Sequence, residues 1–228
     1  MMQNETTFIY HKNVLWIPII AICTIWIVYW IEIYFGFNFN KFGIYPRDFK
    51  GLRGVFFSPF IHSDASHLFN NSVPLFVLMA SLFYFYRKIA IQFMIYGVLL
   101  SGFLSWVIGR ESYHIGASGV IYLLFSFIFF SGIIRKHYRL IAMSLVVIFL
   151  YGSMIWLIFP TEDRISWEGH LSGFLIGIFY AFFYRKKGVV KEEFQFSQTA
   201  FDLLFDEHGN FTPPKIEEET SEENLKDN

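Results

Sequence analysis

Apolar stretches separated by short polar joints fill the first 187 residues of the chain. Six of them, at 14–35, 68–86, 89–108, 116–134, 140–159 and 165–184, come close to the ~20 residues a helix needs to cross a hydrocarbon layer about 30 Å thick. Each is predicted to be a transmembrane helix. The first is too long for a signal-peptide core and has no small-residue cleavage site after it, so it is expected to stay in the membrane as an anchor. The pattern divides the chain into an N-terminal segment 1–13, a six-helix membrane body 14–187 and a polar tail 188–228. In the tail, Phe194, Phe196, Phe201, Leu203, Leu204 and Phe205 are expected to form a short amphipathic piece closed by Pro213 and Pro214. The run Glu217, Glu218, Glu219, Glu222 and Glu223 is expected to be disordered.

Composition agrees with a bilayer as the solvent. Charged residues make up 16% of the chain, against about 25% in soluble domains, and 30 Phe, 13 Tyr and 6 Trp exceed what one core of this size hides. The net charge of −1 conceals a split: residues 1–187 hold 15 Lys and Arg against 8 Asp and Glu, and residues 188–228 hold 3 against 11. The body's cations cluster in the joints after the second, fourth and sixth spans, as Arg87 and Lys88, as Arg135, Lys136 and Arg139, and as Arg185, Lys186 and Lys187. Lys12 precedes the first span. The positive-inside rule makes that side, and with it both termini, cytoplasmic. Trp30, Trp106, Trp156 and Trp167 fall at the other ends of their helices, as an interfacial belt would. The first loop, 36–67, weakens the count with Lys41, Arg47, Lys50 and Arg53, but its Phe56, Phe57, Phe60 and Ile61 mark it as a structured element in the interface. Cations in short clusters rather than along one face exclude a nucleic-acid partner. The single Cys23 excludes an intramolecular disulfide and a cysteine zinc site.

In such a chain the polar residues at membrane depth need explaining. Three clusters fall toward the non-cytoplasmic side. The first runs from His62 through His67 to Asn71, the second is Gly116, Ala117, Ser118 and Gly119, and the third is Gly169, His170, Leu171, Ser172 and Gly173. A serine hydroxyl becomes a good nucleophile when a neutral imidazole takes its proton, and the oxyanion it creates needs preorganised donors. Ser118 opens a predicted helix, where unpaired backbone N–H groups point outward. Gly116 and Gly119 allow close backbone approach there. His67 and Asn71 are four apart and share a helix face. Gly169, Gly173 and Gly177 repeat every four residues, a smooth stripe on which the Ser118 helix can pack and bring His170 within reach.

These residues resemble the rhomboid family of intramembrane serine proteases. The likeness lies in Gly-x-Ser-x (Gly116, Ser118, Gly119), His-x4-His-x3-Asn (His62, His67, Asn71) and His-x2-Gly-x3-Gly (His170, Gly173, Gly177). It spans about 14–184 in the family's order. Tyr122 matches the ring that stacks on the catalytic histidine, and Arg53 resembles the arginine of the family's first loop, although Leu52 stands before it where an aromatic is common. The resemblance implies an all-α membrane protein, a six-transmembrane-helix bundle with cytoplasmic termini, whose active site opens to the other side of a bacterial inner membrane. It implies a Ser118–His170 dyad without cofactor or metal, with oxyanion donors from His67, Asn71 and the Ser118 N–H. The loop before span six would cap the site. The partners it implies are transmembrane protein substrates and membrane lipid; oligomeric state stays open.

Other readings fit these residues less well. A lone glycine-serine run in a membrane helix is usually packing. The sharpest rival is a catalytically inactive rhomboid-like protein that binds transmembrane clients, but that predicts loss of Ser118 or His170. A metalloprotease needs His-Glu-x-x-His, whereas Ser63 follows His62. A transporter needs charges near the membrane centre or paired broken helices in two halves, and Glu32 is the one acid within the spans away from the entrance of span six. Glu32 is expected to pair with a cation such as Arg53, His62 to shape its loop, His114 to be solvated, and Pro74 to kink span two after Asn70.

Overall fold

The computed structural model describes residues 11–150, 156–160, 165–188 and 199–212. Among these, the secondary structure is helical, without strands. The α-helices are α1 Asn13–Phe35, α2 Gly54–Phe57, α3 Ala65–Phe85, α4 Ala90–Ile108, α5 Ser118–Arg135, α6 Tyr138–Leu150 and α7 Trp167–Phe183. Of these, α1, α3, α4 and α5 are long and apolar enough to cross a membrane. The centre of the fifth expected span, 151–155, the capping loop at 161–164, and the tail at 189–198 and 213–228 lie outside the described residues. The chain falls into two compact units, Met1–Lys191 and Glu192–Asn228. In the second, a one-turn 3₁₀ helix, Asp202–Leu204, leads into a bridge between Phe205 and Phe211, closed by Asp206 accepting from the N–H groups of His208 and Asn210.

The bundle is built around α5. Val120 to Ile128 are all buried, and α5 packs most extensively on α7, then on α6 and α3. The close approach to α7 follows from its glycines. A Cβ on Gly173 would collide with the Gly119 carbonyl oxygen, and one on Gly177 with Ser126 Oγ and the Leu123 carbonyl oxygen. Apolar α1 lies outside this core against α3, fastened by Trp26 Nε1 donating to Ser72 Oγ at 3.0 Å. Its outward face exposes Trp16, Ile20, Ile27, Trp30 and Ile33, the surface a helix presents to lipid rather than water.

Capping explains why α3 starts three residues before its apolar run. Asp64, with extended backbone, accepts the His67 N–H at 2.8 Å and draws Ser66 and His67 into the first turn. The helix then continues through Pro74 to Phe85 as one element. At the far end of α1, Gly36 adopts φ 67°, and its turn lets Phe37 N–H bond the Glu32 carbonyl.

The first loop is ordered by backbone and side-chain bonds. Ile44 and His114 exchange both backbone hydrogen bonds, at 2.8 and 3.0 Å. Arg47 donates to the Gly109 carbonyl at 2.7 Å, and Trp106 Nε1 to the Asp48 carbonyl at 2.9 Å. Glu32 does not pair with Arg53. Its Oε1 accepts the Phe39 N–H at 2.7 Å, a bond it reaches because the Gly36 turn folds the loop back over its own helix end. Arg53 instead donates to the Lys41 carbonyl and lies over the Phe42 ring, 4.5 Å from its centroid.

Candidate active site

Ser118 is the first residue of α5, and His170 lies in the first turn of α7. The glycine-lined contact between these helices brings Ser118 Oγ to 2.8 Å from His170 Nε2. The other ring nitrogen, Nδ1, is 2.8 Å from the Leu157 carbonyl oxygen. A carbonyl only accepts, so Nδ1 carries the hydrogen and Nε2 presents its lone pair to the serine hydroxyl. Leu157 thus supplies from its backbone the orienting contact that a carboxylate supplies in a Ser-His-Asp triad. Tyr122 stacks on the imidazole with centroids 4.4 Å apart and planes at 23°, an arrangement worth about 0.5–1.5 kcal/mol that also fixes the ring's tilt.

The donors assemble opposite. Gly116 has φ 105°, a conformation that favours glycine, and its N–H bonds the Ser58 carbonyl at 2.9 Å. A methyl on Gly116 would lie 2.7 Å from His67 Cε1 and Nε2 and 3.6 Å from Asn71 Nδ2. The missing side chain is therefore what lets His67 and Asn71, one helical turn apart on α3, converge beside Ser118. Asn71 is buried, and its Nδ2 has no hydrogen-bond partner. An unpaired buried donor costs about 1–3 kcal/mol, which makes it notable at such a place. At the opening of α5, the Val120 and Ile121 N–H groups bond the Ala117 carbonyl, and those of Ser118 and Gly119 come before this first helical bond. A pocket of about 40 Å³ opens next to Ser118, lined by Ser58, Ser101, Ser105, Gly119 and Ser166. Aliphatic side chains such as Val55, Val98 and Val120 line it together with these serines, and it is large enough for water.

His62 is buried, with its Nε2 3.4 Å from the Ala117 N and its ring edge-on to His67 at 5.1 Å. It braces the residue before Ser118 and does not contact the hydroxyl. Burial pushes its pKa down to about 4 from 6.5. The folded form binds fewer protons than the unfolded one across that window, so stability falls as the pH drops through it. Between pH 7 and pH 4 this group alone is expected to cost the fold about 3 kcal/mol. Replacing His62 with Gln is expected to flatten the acid limb of thermal unfolding measured from pH 7 to 4. An unchanged limb would show that His62 is not its source. Asp64, by contrast, has its carboxyl held below the usual range by the His67 N–H.

The remaining positions predicted from sequence separate into two groups. Gly119, Gly173 and Gly177 line the α5–α7 contact, while Arg53 touches neither Ser118 nor His170 in any bond of the site. The expectation that His114 is solvated is wrong. It is 4% exposed, its Nδ1 2.5 Å from Ser166 Oγ and its Nε2 3.0 Å from the Arg110 carbonyl oxygen. The backbone bridge to Ile44 pulls it inward, and burial holds its imidazole below its ordinary pKa. Sequence reasoning also missed Glu168, 1% exposed, whose Oε1 accepts the Arg110 N–H at 3.2 Å.

The chain is 35% identical over 155 residues to uncharacterized proteins of Mycobacterium bovis and Mycobacterium tuberculosis, covering 61% of this chain and 62% of theirs. An uncharacterized protein of Mycobacterium leprae is 31% identical over 143 residues, 58% of this chain and 55% of that one. The chain thus spans less than two thirds of the length of these relatives. A family model, the rhomboid domain, matches residues 50–187, which is more than half of the chain and contains all three polar clusters. The chain belongs to the rhomboid family.

Proposed function

We propose that this chain is an intramembrane serine endopeptidase that cleaves transmembrane segments of membrane proteins. The reading rests on one observation, the 2.8 Å contact between Ser118 Oγ and a His170 whose tautomer is set by the Leu157 carbonyl. In this mechanism His170 Nε2 takes the Ser118 proton as Oγ attacks the scissile carbonyl carbon. Asn71 Nδ2, His67 and the Ser118 N–H hold the oxyanion. As the C–N bond breaks, the imidazolium returns its proton to the leaving amine. Water then attacks the acyl-enzyme with His170 as base, and the acid product leaves with Ser118 restored. No cofactor enters any step.

The setting proposed for this chemistry is a six-span bundle in a bacterial inner membrane, with cytoplasmic termini and the site facing the opposite side. The clustered cations at the ends of the second, fourth and sixth spans support that orientation. A serine-directed fluorophosphonate tests the nucleophile. It is expected to label the wild type in liposomes and to leave Ser118→Ala and heat-denatured protein unlabelled. Equal labelling of wild type and Ser118→Ala overturns the assignment.

Asn71→Ala separates the oxyanion donor from a packing residue. Loss of one such donor costs about 10²–10³ in kcat, so kcat on a transmembrane reporter is expected to fall by that factor with KM nearly unchanged. Because the substitution removes an unpaired buried donor, the thermal midpoint is expected to hold or rise. A fall in the midpoint with kcat intact would make Asn71 structural.

A further inference from the structure

Near the dyad is a second polar cluster that the catalytic scheme does not use. Glu168 lies two residues before His170, and Arg110 and His114 lie on the segment that leads into Ser118. Glu168 Oε1 accepts the Arg110 N–H at 3.2 Å and lies 3.8 Å from Arg110 Nε, and Arg110 Nη2 donates to the Ile165 carbonyl at 2.7 Å. His114 Nε2 is 3.0 Å from the Arg110 carbonyl oxygen and therefore carries the hydrogen, so its Nδ1 accepts the Ser166 hydroxyl at 2.5 Å. Glu168 Oε2 lies 4.0 Å from the same Nδ1. The bonds to Glu168, Ile165 and Ser166 link the 110–117 segment to the residues that open α7, the His114–Arg110 bond braces that segment internally, and the Ile44 bridge adds the first loop to the same node.

Two features make this more than packing. First, a carboxylate 1% exposed is expensive, and an apolar residue of similar volume is commonly as stable or more so. Stability alone does not account for Glu168. Second, the α5–α7 contact is lined by Gly119, Gly173 and Gly177. Such a stripe gives close approach but few interlocking side chains to fix how far one helix slides along the other. Directional hydrogen bonds between buried groups do fix it, and Glu168 commits Oε1 to the Arg110 N–H while its buried Oε2 makes no hydrogen bond. We propose that Glu168 and His114, bridged by Arg110, with His114 tied in turn to Ser166, are positioning residues that set the register between the segment carrying Ser118 and the turn carrying His170. They touch neither substrate nor the reacting atoms.

The proposal rests on the Ser118–His170 reading, and its test separates the two. Full-length protein in liposomes is compared as wild type, Glu168→Leu and Glu168→Gln, with Ser118→Ala as the blank. Three quantities are read: kcat and KM on a transmembrane reporter, thermal midpoint, and amide exchange of residues 110–120 by mass spectrometry. Leucine removes the acceptor while keeping volume, and is expected to lower kcat at least tenfold with KM within twofold. Its midpoint is expected to match or exceed wild type, and exchange in 110–120 to quicken. Glutamine keeps an oxygen for the Arg110 N–H and is expected to recover most of the lost kcat. Wild-type kcat and exchange in Glu168→Leu overturns the proposal, as does a kcat loss that only follows a lowered midpoint in both variants. If the wild type neither cleaves nor labels, the catalytic reading falls. Exchange then decides: faster in Glu168→Leu sustains the clamp, and unchanged removes it.

Discussion

Ser118→Ala is expected to lower kcat on a transmembrane reporter by about 10⁴-fold or more, leaving KM within about twofold, since the step lost is nucleophilic attack and not binding. That corresponds to about 5 kcal/mol of transition-state stabilisation. The effect on folding is small for local reasons. Ser118 is half-buried at the first position of α5, where alanine is a good helix former, and the substitution deletes one side-chain bond, to His170 Nε2. The cost to the fold is no more than about 2 kcal/mol, even with that nitrogen left unpaired. Liposome cleavage at several substrate concentrations, with unfolding of the same preparations, checks both halves. Near-wild-type kcat in Ser118→Ala would place the nucleophile elsewhere. A kcat loss accompanied by a collapse of the thermal midpoint would make Ser118 a packing residue.

What the sequence made legible was whatever leaves a periodic or spaced trace in side chains. Apolar runs located α1, α4, α5 and α7 to within about two residues at most of their ends. The start of α3 lies three residues before the apolar run, because hydropathy begins where apolar residues begin and the Asp64 cap precedes them. Spacing also brings His67 and Asn71 onto one face, where both lie against Gly116, and aligns Gly173 with Gly177, of which Gly173 meets Gly119 beside Ser118 and Gly177 meets Ser126 farther along α5.

What stayed hidden was carried by backbone groups or by contacts between distant segments. The Leu157 carbonyl that orients His170 has no side-chain signature. Glu32 finds its acceptor role with the amide of Phe39, which no charge pattern indicates. His114 reads as a polar loop residue until a backbone bridge to Ile44, 70 positions earlier, draws it inside. Glu168 was visible only as an acid at a helix entrance, a position that the positive end of a helix dipole favours anyway. Its burial depends on Arg110, 58 positions before it.

The α5–α7 contact yields the second large effect. Gly173→Ala is expected to lower kcat about 10²-fold and to cost the fold about 1–3 kcal/mol. The added methyl meets backbone, not the end of a flexible side chain. It collides with the Gly119 carbonyl oxygen and stands 3.0 Å from that carbonyl carbon and 3.1 Å from the Leu123 nitrogen. None of these atoms rotates away, so the helices must part. Gly119 follows Ser118 directly, and Gly173 lies three residues after His170 on the same side of α7, so the separation acts at the dyad. A displacement of about 1 Å is enough for a hundredfold loss in a proton-transfer pair. Gly177→Ala provides the comparison, since its methyl meets Ser126 Oγ and the Leu123 carbonyl oxygen, a further turn from His170. It is expected to cost similar stability and less kcat. Unfolding midpoints with kcat for both variants check this ordering. If Gly177→Ala loses as much kcat as Gly173→Ala at equal stability, the catalytic loss reflects general loosening of the bundle and not local spreading at Ser118 and His170.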